Sequence, residues 1–363
     1  MTDLALADRV RANVAAQLRA AVKLLWLLLA LALVVILGGV AEYVKQDTLN
    51  YWSPQNQCMI LTQTVMVAIG AIGMTIIIIA GGIDLSAASV VAVASVISAW
   101  VVREFAPPGA SSLVGPEAVW LPLAAMAAGI LIGTLAGTIN GMLITGLRLV
   151  PFIVTLGMMT FARGAAKGIA QQQRIDAPVN WISDFTKANV TLANLDWRLG
   201  PLNWSGPVSI STAVLVTIAL AVVTAVVLAR TRFGRHVFAI GSNEATARLC
   251  GVKVEQTKWF IYALAGSMFG LAGVTDFGRL SCGDPTTALG KELDIIAAVV
   301  IGGGSLSGGS GSVFGSLIGA LLMAHLRNLC VHLGLPNFVQ EMVVGVVIVV
   351  AVALDRLRQR RRE

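Results

Sequence analysis

The 363-residue chain is built from long apolar runs separated by short polar breaks. Ten runs stand out, near residues 22–40, 58–80, 86–102, 120–140, 150–168, 208–229, 258–277, 292–303, 313–332 and 338–354. A helix that crosses a bilayer needs about 20 mainly apolar residues, and all but one of these runs approach that length. The run at 292–303 is too short to cross alone, which predicts either an extension toward Thr287 or a broken helix. No stretch is left for a soluble domain. The pattern therefore predicts one all-α integral membrane domain over residues 1–363, with about ten transmembrane helices, some of them broken.

Composition agrees with this: 56% hydrophobic, 12% charged, mean hydropathy +0.81. Basic residues precede the first run, as they would in a signal peptide. The run is longer than a usual signal core, however, and AEYVKQDTLNYW behind it has no small-x-small cleavage site. It is expected to be a retained first helix.

The net charge of +7 is informative through its location. An even number of spans puts both termini on one side. Sixteen of the 26 Lys and Arg residues then fall on that side: in the tail of residues 1–21 and Lys23, at Arg148, in the segment of about 230–258, and in the tail 355–363. The positive-inside rule makes that side cytoplasmic. The charge thus serves orientation, and no nucleic-acid partner is implied. Arg163 and Lys167 fall on the outer side, against the rule, and are expected to face a water-filled vestibule. The outer loop of about 170–207 carries Trp181, Trp197 and Trp204, suited to interfacial anchoring or a contact surface.

Cys58, Cys250, Cys282 and Cys330 form no Cys-x-x-Cys pair, which excludes an obvious zinc site or disulfide scaffold. His325 and His332 flank Cys330, but no fourth ligand is nearby, so no metal is expected.

Close helix packing in lipid relies on small residues. Gly129, Gly133, Gly137 and Gly141 recur every four residues and define one helix face; Gly311, Gly315 and Gly319 define a second, and Gly266 and Gly270 a shorter third. A helix starting near Ser312 would inherit Gly315 and Gly319. Just before it, Leu306-Ser307-Gly308-Gly309-Ser310 looks like the signature of ABC ATPases. A nucleotide site would also need Gly-x-x-x-x-Gly-Lys-Ser/Thr, which is absent from the sequence. The stretch reads as a turn, and the chain is expected to be neither an ATPase nor any other enzyme, since no nucleophile, base and orienting group can be assembled.

Polar groups within apolar runs are costly and mark function or a helix break. Asp84 sits between two runs, where Gly81 and Gly82 break the helix. There Asp84 or Ser86 can cap the next helix, or the break can line a solute path. Asn140 and Thr155, the latter just after Pro151, offer hydrogen bonds to a neutral polyol. Asp294 is the expected counterpart of Asp84 in the second half.

Four stretches, in order, carry a resemblance: GGIDLSAASV, NGMLITGLRLVPFIVTLGMMTFARG, AIGSNEATARLCGVKV and ELDIIAAVVIGGGSLSGGSGSVFGSLIGA. They resemble the permease subunits of bacterial ABC importers for ribose and related monosaccharides, over about residues 50–355. The resemblance implies a type II importer-like architecture in the inner membrane and a dimeric pore, with two identical copies favoured over two different ones. It also implies a periplasmic sugar-binding protein and a cytoplasmic ABC ATPase that carries the ATP and Mg, this chain binding no cofactor. The segment of residues 231–258 would hold the coupling helix. Physically, Ser242 or Asn243 can cap a short helix, Glu244 suits its first turn, Ala245 and Arg248 continue it, and Gly251 can end it. The alternative is an ion-coupled carrier that uses Asp84 and Asp294 to bind protons or sodium.

Overall fold

The computed structural model describes residues 2–46, 50–199 and 202–360. Every predicted run is a helix: α1 (Thr2–Gln46), α2 (Pro54–Ile79), α3 (Ala87–Phe105), α4 (Glu117–Gly146), α5 (Pro151–Ile169), α7 (Thr212–Arg230), α10 (Val254–Leu280), α11 (Lys291–Ile301), α12 (Val313–His332) and α13 (Asn337–Arg360). Among the described residues three short α-helices lie outside the runs, α6 (Trp181–Lys187), α8 (Arg232–Ser242) and α9 (Glu244–Leu249), together with a 3-10 turn at Asn50–Trp52. Seven of the described helices are long and apolar enough to cross a membrane, including residues Leu24–Lys45 of α1. The helix of α1 continues through the predicted N-terminal tail. Side chains of the basic residues of both tails, part of the orientation argument, lie outside the described residues.

Two small β pairs accompany the helices. β1 (Ile175–Asp176) pairs antiparallel with β4 (Cys282–Gly283), and β2 (Asn189–Leu199) with β3 (Leu202–Ser211). The polar loop after α5 thus folds into α6 and a hairpin. The anchoring role expected of Trp197 and Trp204 falls on side chains outside the described residues, whereas Trp181 opens α6 and reaches the carbonyl of Val119.

Burial separates an inner from an outer set. The apolar window of α2 is 83% buried and that of α1 only 11%. A helix that is apolar all round belongs in the interior, and α2 packs against α3, α10, α11 and α12. α1, α4 and α7 present Leu33, Ile36, Leu131, Leu135, Ile218 and Val223 outward, the surface expected to meet lipid tails.

The glycine faces carry the inner packing. A Cβ on Gly133 would lie 2.4 Å from the carbonyl oxygen of Gly266, and one on Gly137 would lie 2.1 Å from that of Tyr262. Gly129 meets Ser98 and Val274, and Gly141 meets Trp259. α4 and α10 therefore touch backbone to backbone, with Gly266 and Gly270 reciprocating. The second face joins α12 to α11: Gly315 lies on the carbonyl of Gly302 and Gly319 on that of Ala298. Gly311 is not on this helix. It precedes the N-cap Ser312, whose hydroxyl accepts from Gly315 N, and it meets the side chain of Ile79 instead.

Two helices end in the same way. At the end of α2, Gly81 N donates to Ile78 O and Gly82 N to Ile77 O; at the end of α11, Gly303 N donates to Val300 O and Gly304 N to Val299 O. Gly81 and Gly303 both take the left-handed conformation, at φ 80° and 91°, which glycine adopts without steric cost. Ile-Ala-Gly-Gly and Ile-Gly-Gly-Gly are the sequence traces of this pair. α11 spans 11 residues, about 16 Å at 1.5 Å per residue, roughly half the hydrocarbon core. It starts after the left-handed Gly290 and does not reach back to Thr287.

Candidate functional site

Four of the five residues expected on the solute path meet at the α2–α3 break. Asp84 is buried; its Oδ1 accepts from Ser86 N at 2.8 Å and Ser86 Oγ at 2.6 Å. Asn140 on α4 brings Nδ2 to Asp84 Oδ2 at 3.4 Å and to Ser86 Oγ at 3.1 Å. Thr155 on α5 donates to Ile83 O at 3.5 Å. The capping expectation is met only in displaced form. The carboxylate takes the N–H and O–H of Ser86, and Ser86, itself in helical conformation at φ −77° and ψ −10°, makes no side-chain cap bond to α3.

Sequence reasoning missed Tyr262. Its ring comes from α10, and a Cβ on Gly82 would lie 2.6 Å from its hydroxyl. The Tyr262 hydroxyl and Asn140 Oδ1 are both buried with no hydrogen-bond partner, an uncommon state for buried polar atoms. Its only early trace was a tyrosine in an apolar run, one turn from the Gly266 face. The cluster thus combines a carboxylate and a hydroxyl from the break, an amide from α4 and a phenol from α10, with the Thr155 hydroxyl of α5 at its edge.

Asp294 is elsewhere. It sits in the first turn of α11, where Oδ2 accepts from Lys291 Nζ at 3.0 Å and Oδ1 from Arg327 of α12 at 2.8 Å. The expected symmetry with Asp84 fails because Asp84 lies in a break and Asp294 inside a helix. At the matching break of the second half, Ser305 and Leu306 stand in its place. A carboxylate held by two cations is a poor place to bind a further cation.

Arg163 sits partly buried on α5. Its NH1 donates to the carbonyls of Pro285 at 2.9 Å and Thr287 at 2.8 Å, satisfying the non-helical segment that leads into α11; non-helical backbone at membrane depth requires such partners. Lys167 is exposed. His325 and His332 join a hydrogen-bonded knot: Tyr51 OH lies 3.2 Å from His325 Nδ1, and Glu42 Oε1 lies 3.0 Å from His332 Nδ1. This knot fastens α1 to α12.

The segment between α7 and α10 forms an elbow of α8 and α9. Asn243 caps α9, its side chain accepting from Thr246 N at 2.9 Å; Ser242 is instead the last residue of α8. Gly251, at φ 84°, ends α9 by donating to Arg248 O. Glu244 holds Lys258 at 2.7 Å and Arg248 at 3.6 Å, while Arg248 also bonds Glu255. The bond to Glu255 pushes the Arg248 guanidinium above its ordinary value. Ala245 is exposed.

The elbow rests on the two breaks. Gly309 N donates to Ile79 O at 2.8 Å. A Cβ on Gly241, at the end of α8, would lie 1.7 Å from that same oxygen, and one on Gly308 would lie 2.5 Å from Gly241 O. The signature-like Leu306–Ser310 stretch is therefore a packed turn. It joins the end of α2, the end of α8 and the loop into α12, five residues before Asp84 along the chain at Ile79.

Residues 56–352 match the family described as "Branched-chain amino acid transport system / permease component". The chain belongs to this family of membrane permeases. It is 36% identical over 337 residues to the Ribose import permease protein RbsC of Escherichia coli (strain K12), covering 92% of this chain and 95% of that protein. It is 37% identical over 307 residues to the protein of the same description in Bacillus subtilis (strain 168), covering 85% and 86%. It is 34% identical over 333 residues to the Galactose/methyl galactoside import permease protein MglC of Escherichia coli (strain K12), covering 91% and 94%. No solved structure matches the chain. The chain is a multi-pass transport component of the inner membrane, not an enzyme.

Proposed function

We propose that this chain forms the translocation path of an ABC importer for a monosaccharide of the ribose, rhamnose or xylose kind, delivered by a periplasmic binding protein. Two copies of the permease, identical rather than different, would surround the path. ATP and Mg would be held by a cytoplasmic ABC ATPase. Both termini and the α8–α9 elbow would then face the cytoplasm, and the β2–β3 hairpin the periplasm. The near-full-length similarity to ribose and galactose permeases supports the sugar class.

The observation that carries the mechanism is the seating of α8 on the α2 break through Gly241 and Ile79. A load on α9 passes along α8 to the end of α2, and from there to Asp84 and the helices that surround it. Packed glycine contacts leave no slack, so movement of the elbow must move the break. In this reading Asp84, Ser86, Asn140, Thr155 and Tyr262 close the inner end of the path in the resting state, and when it opens they offer hydroxyl and amide groups to a polyol. The binding protein supplies affinity, so the path needs few charges. The ion-coupled alternative loses support from Asp294, whose charge is already balanced. Uptake of labelled ribose, xylose, rhamnose and galactose by cells carrying the complete importer tests the reading. ATP-dependent uptake of one of them is expected, and uptake of none would refute the sugar class.

A further inference from the structure

Arg248 and Lys258 are paired within the chain, through Glu244 and Glu255. Three arginines where α7 turns into α8 are not. Arg230 is the last residue of α7, and Arg232 and Arg235 stand at the first and fourth positions of α8, which has no acidic residue in its first turn. All three are exposed, and among the described residues none of their guanidiniums has an acidic or carbonyl partner. Unpaired cations this close along the chain repel one another, and a shared anion relieves the repulsion.

The position of the patch selects the anion. The exposed side of α7 runs through Leu215, Ile218, Val222 and Val226 to Arg230, a spacing of three or four residues that keeps them on one helix face. The apolar window of α7 has a mean hydropathy of 2.7 and is only 33% buried, so this face meets lipid tails. α7 spans 19 residues, about 28 Å at 1.5 Å per residue, close to the about 30 Å of a hydrocarbon core. Arg230 therefore lies at headgroup level, in line with a column of tail-facing side chains. α8 holds the other two arginines beside it. They are three residues apart on the exposed face, while Gly234, Val237 and Ile240 are buried on the other and Phe233 packs edge to face on Phe260 of α10 at 5.2 Å. Guanidiniums suit phosphate because two parallel N–H groups match two of its oxygens. A soluble acidic partner does not cover the apolar stripe that ends in Arg230, whereas a phospholipid covers the stripe and the arginines together.

We infer that Arg230, Arg232 and Arg235 bind the phosphate headgroup of an anionic phospholipid of the cytoplasmic leaflet, its tails lying along Val222 and Val226. The inference rests on the importer reading for the side of the membrane. The headgroup fixes the start of α8 at the membrane plane, and the far end of α8 bears on the α2 break through Gly241. The bilayer is then the support against which the elbow moves that break.

The test is native mass spectrometry of the full-length permease in detergent, offered equal amounts of phosphatidylglycerol and phosphatidylcholine. Wild type is expected to retain phosphatidylglycerol preferentially. Arg230→Gln, Arg232→Gln and Arg235→Gln should each cut that preference about fivefold, the share of one cation near an anionic surface, and the triple change to Lys should keep most of it. Lys167→Gln removes an equal charge from the exposed end of α5 and should leave the preference unchanged. All of these side chains are exposed, so each variant should elute as folded protein on size-exclusion chromatography. Equal retention of both lipids by folded wild type overturns the site, and so does an equal loss in Lys167→Gln. A triple Gln variant that keeps the lipid preference but no longer binds the ATPase in nanodiscs assigns the arginines to that partner and overturns it too. The side of the membrane is checked separately on the exposed Cys250, with Cys250→Ser as control: a membrane-impermeant maleimide should label it in inverted vesicles and spare it in intact spheroplasts. Labelling in intact spheroplasts would instead defeat the orientation of the importer reading.

Discussion

Gly241 lies directly against the carbonyl of Ile79: a Cβ at position 241 would come within 1.7 Å of that oxygen. Gly309 donates to the same oxygen at 2.8 Å, so the Ile79 carbonyl cannot retreat from a side chain at 241 without straining that hydrogen bond. Gly241→Ala must therefore push α8 from the α2 break, at a cost of about 1–3 kcal/mol by analogy with overpacked cores. The expected result is a lower thermal midpoint and an ATPase whose hydrolysis is no longer matched by transport. Full coupling in this variant would show that the joint is only a packing detail.

The α4–α10 contact predicts a sharp contrast between glycines. Gly137→Ala places a methyl group 2.1 Å from Tyr262 O and must separate the helices, whereas Gly146→Ala meets nothing within 4 Å. The first should destabilise by about 1–3 kcal/mol. The second, at a helical position, should be neutral or stabilise by up to about 1 kcal/mol. Thermal unfolding in one detergent gives both values, and equal effects would contradict the packing account.

Much of this could be read from the residues. Ten apolar runs became ten helices, and the four-residue glycine spacing identified the α4 face because packed membrane helices need small residues there. Gly251 marks the end of α9 through its backbone freedom, and Ser242 or Asn243 marks its start through a capping side chain, a role that falls to Asn243. Asp84, Ser86, Asn140 and Thr155 were singled out one by one as polar groups in apolar runs, and the fold gathers them. Tyr262 was not singled out, because a tyrosine in a membrane helix is ordinary until its neighbours are known. Asp294 misled, since the partners that balance it, Lys291 one turn back and Arg327 in another helix, matter more than its position in the chain. Arg163 could not be read for the same reason: its carbonyl partners lie more than a hundred residues away.

Tyr262 separates a structural from a transport role. Its hydroxyl is buried without a partner, so Tyr262→Phe should leave the thermal midpoint unchanged or raise it, removing a desolvation cost of about 1–3 kcal/mol. Sugar transport should nevertheless fall several-fold if the hydroxyl meets the solute when the path opens. Normal transport by a stabilised variant would remove Tyr262 from the path.

Asp294→Asn should act on stability. It leaves Lys291 and Arg327, each more than a quarter exposed, without their shared buried carboxylate, at a cost below the about 3–5 kcal/mol of a fully buried pair. Loss of folded protein on size-exclusion chromatography is the expected outcome. A well-folded variant whose uptake merely loses its dependence on an ion gradient would point back to the carrier alternative.

The central claim is that this chain moves solute only when an ATPase drives it. The most direct measurement is uptake of labelled sugar into proteoliposomes containing the permease, with and without its ATPase and binding protein, under an imposed proton or sodium gradient. The account predicts uptake with ATP and all components present, and none from either gradient with the permease alone. Accumulation driven by a gradient in the absence of the ATPase would contradict it.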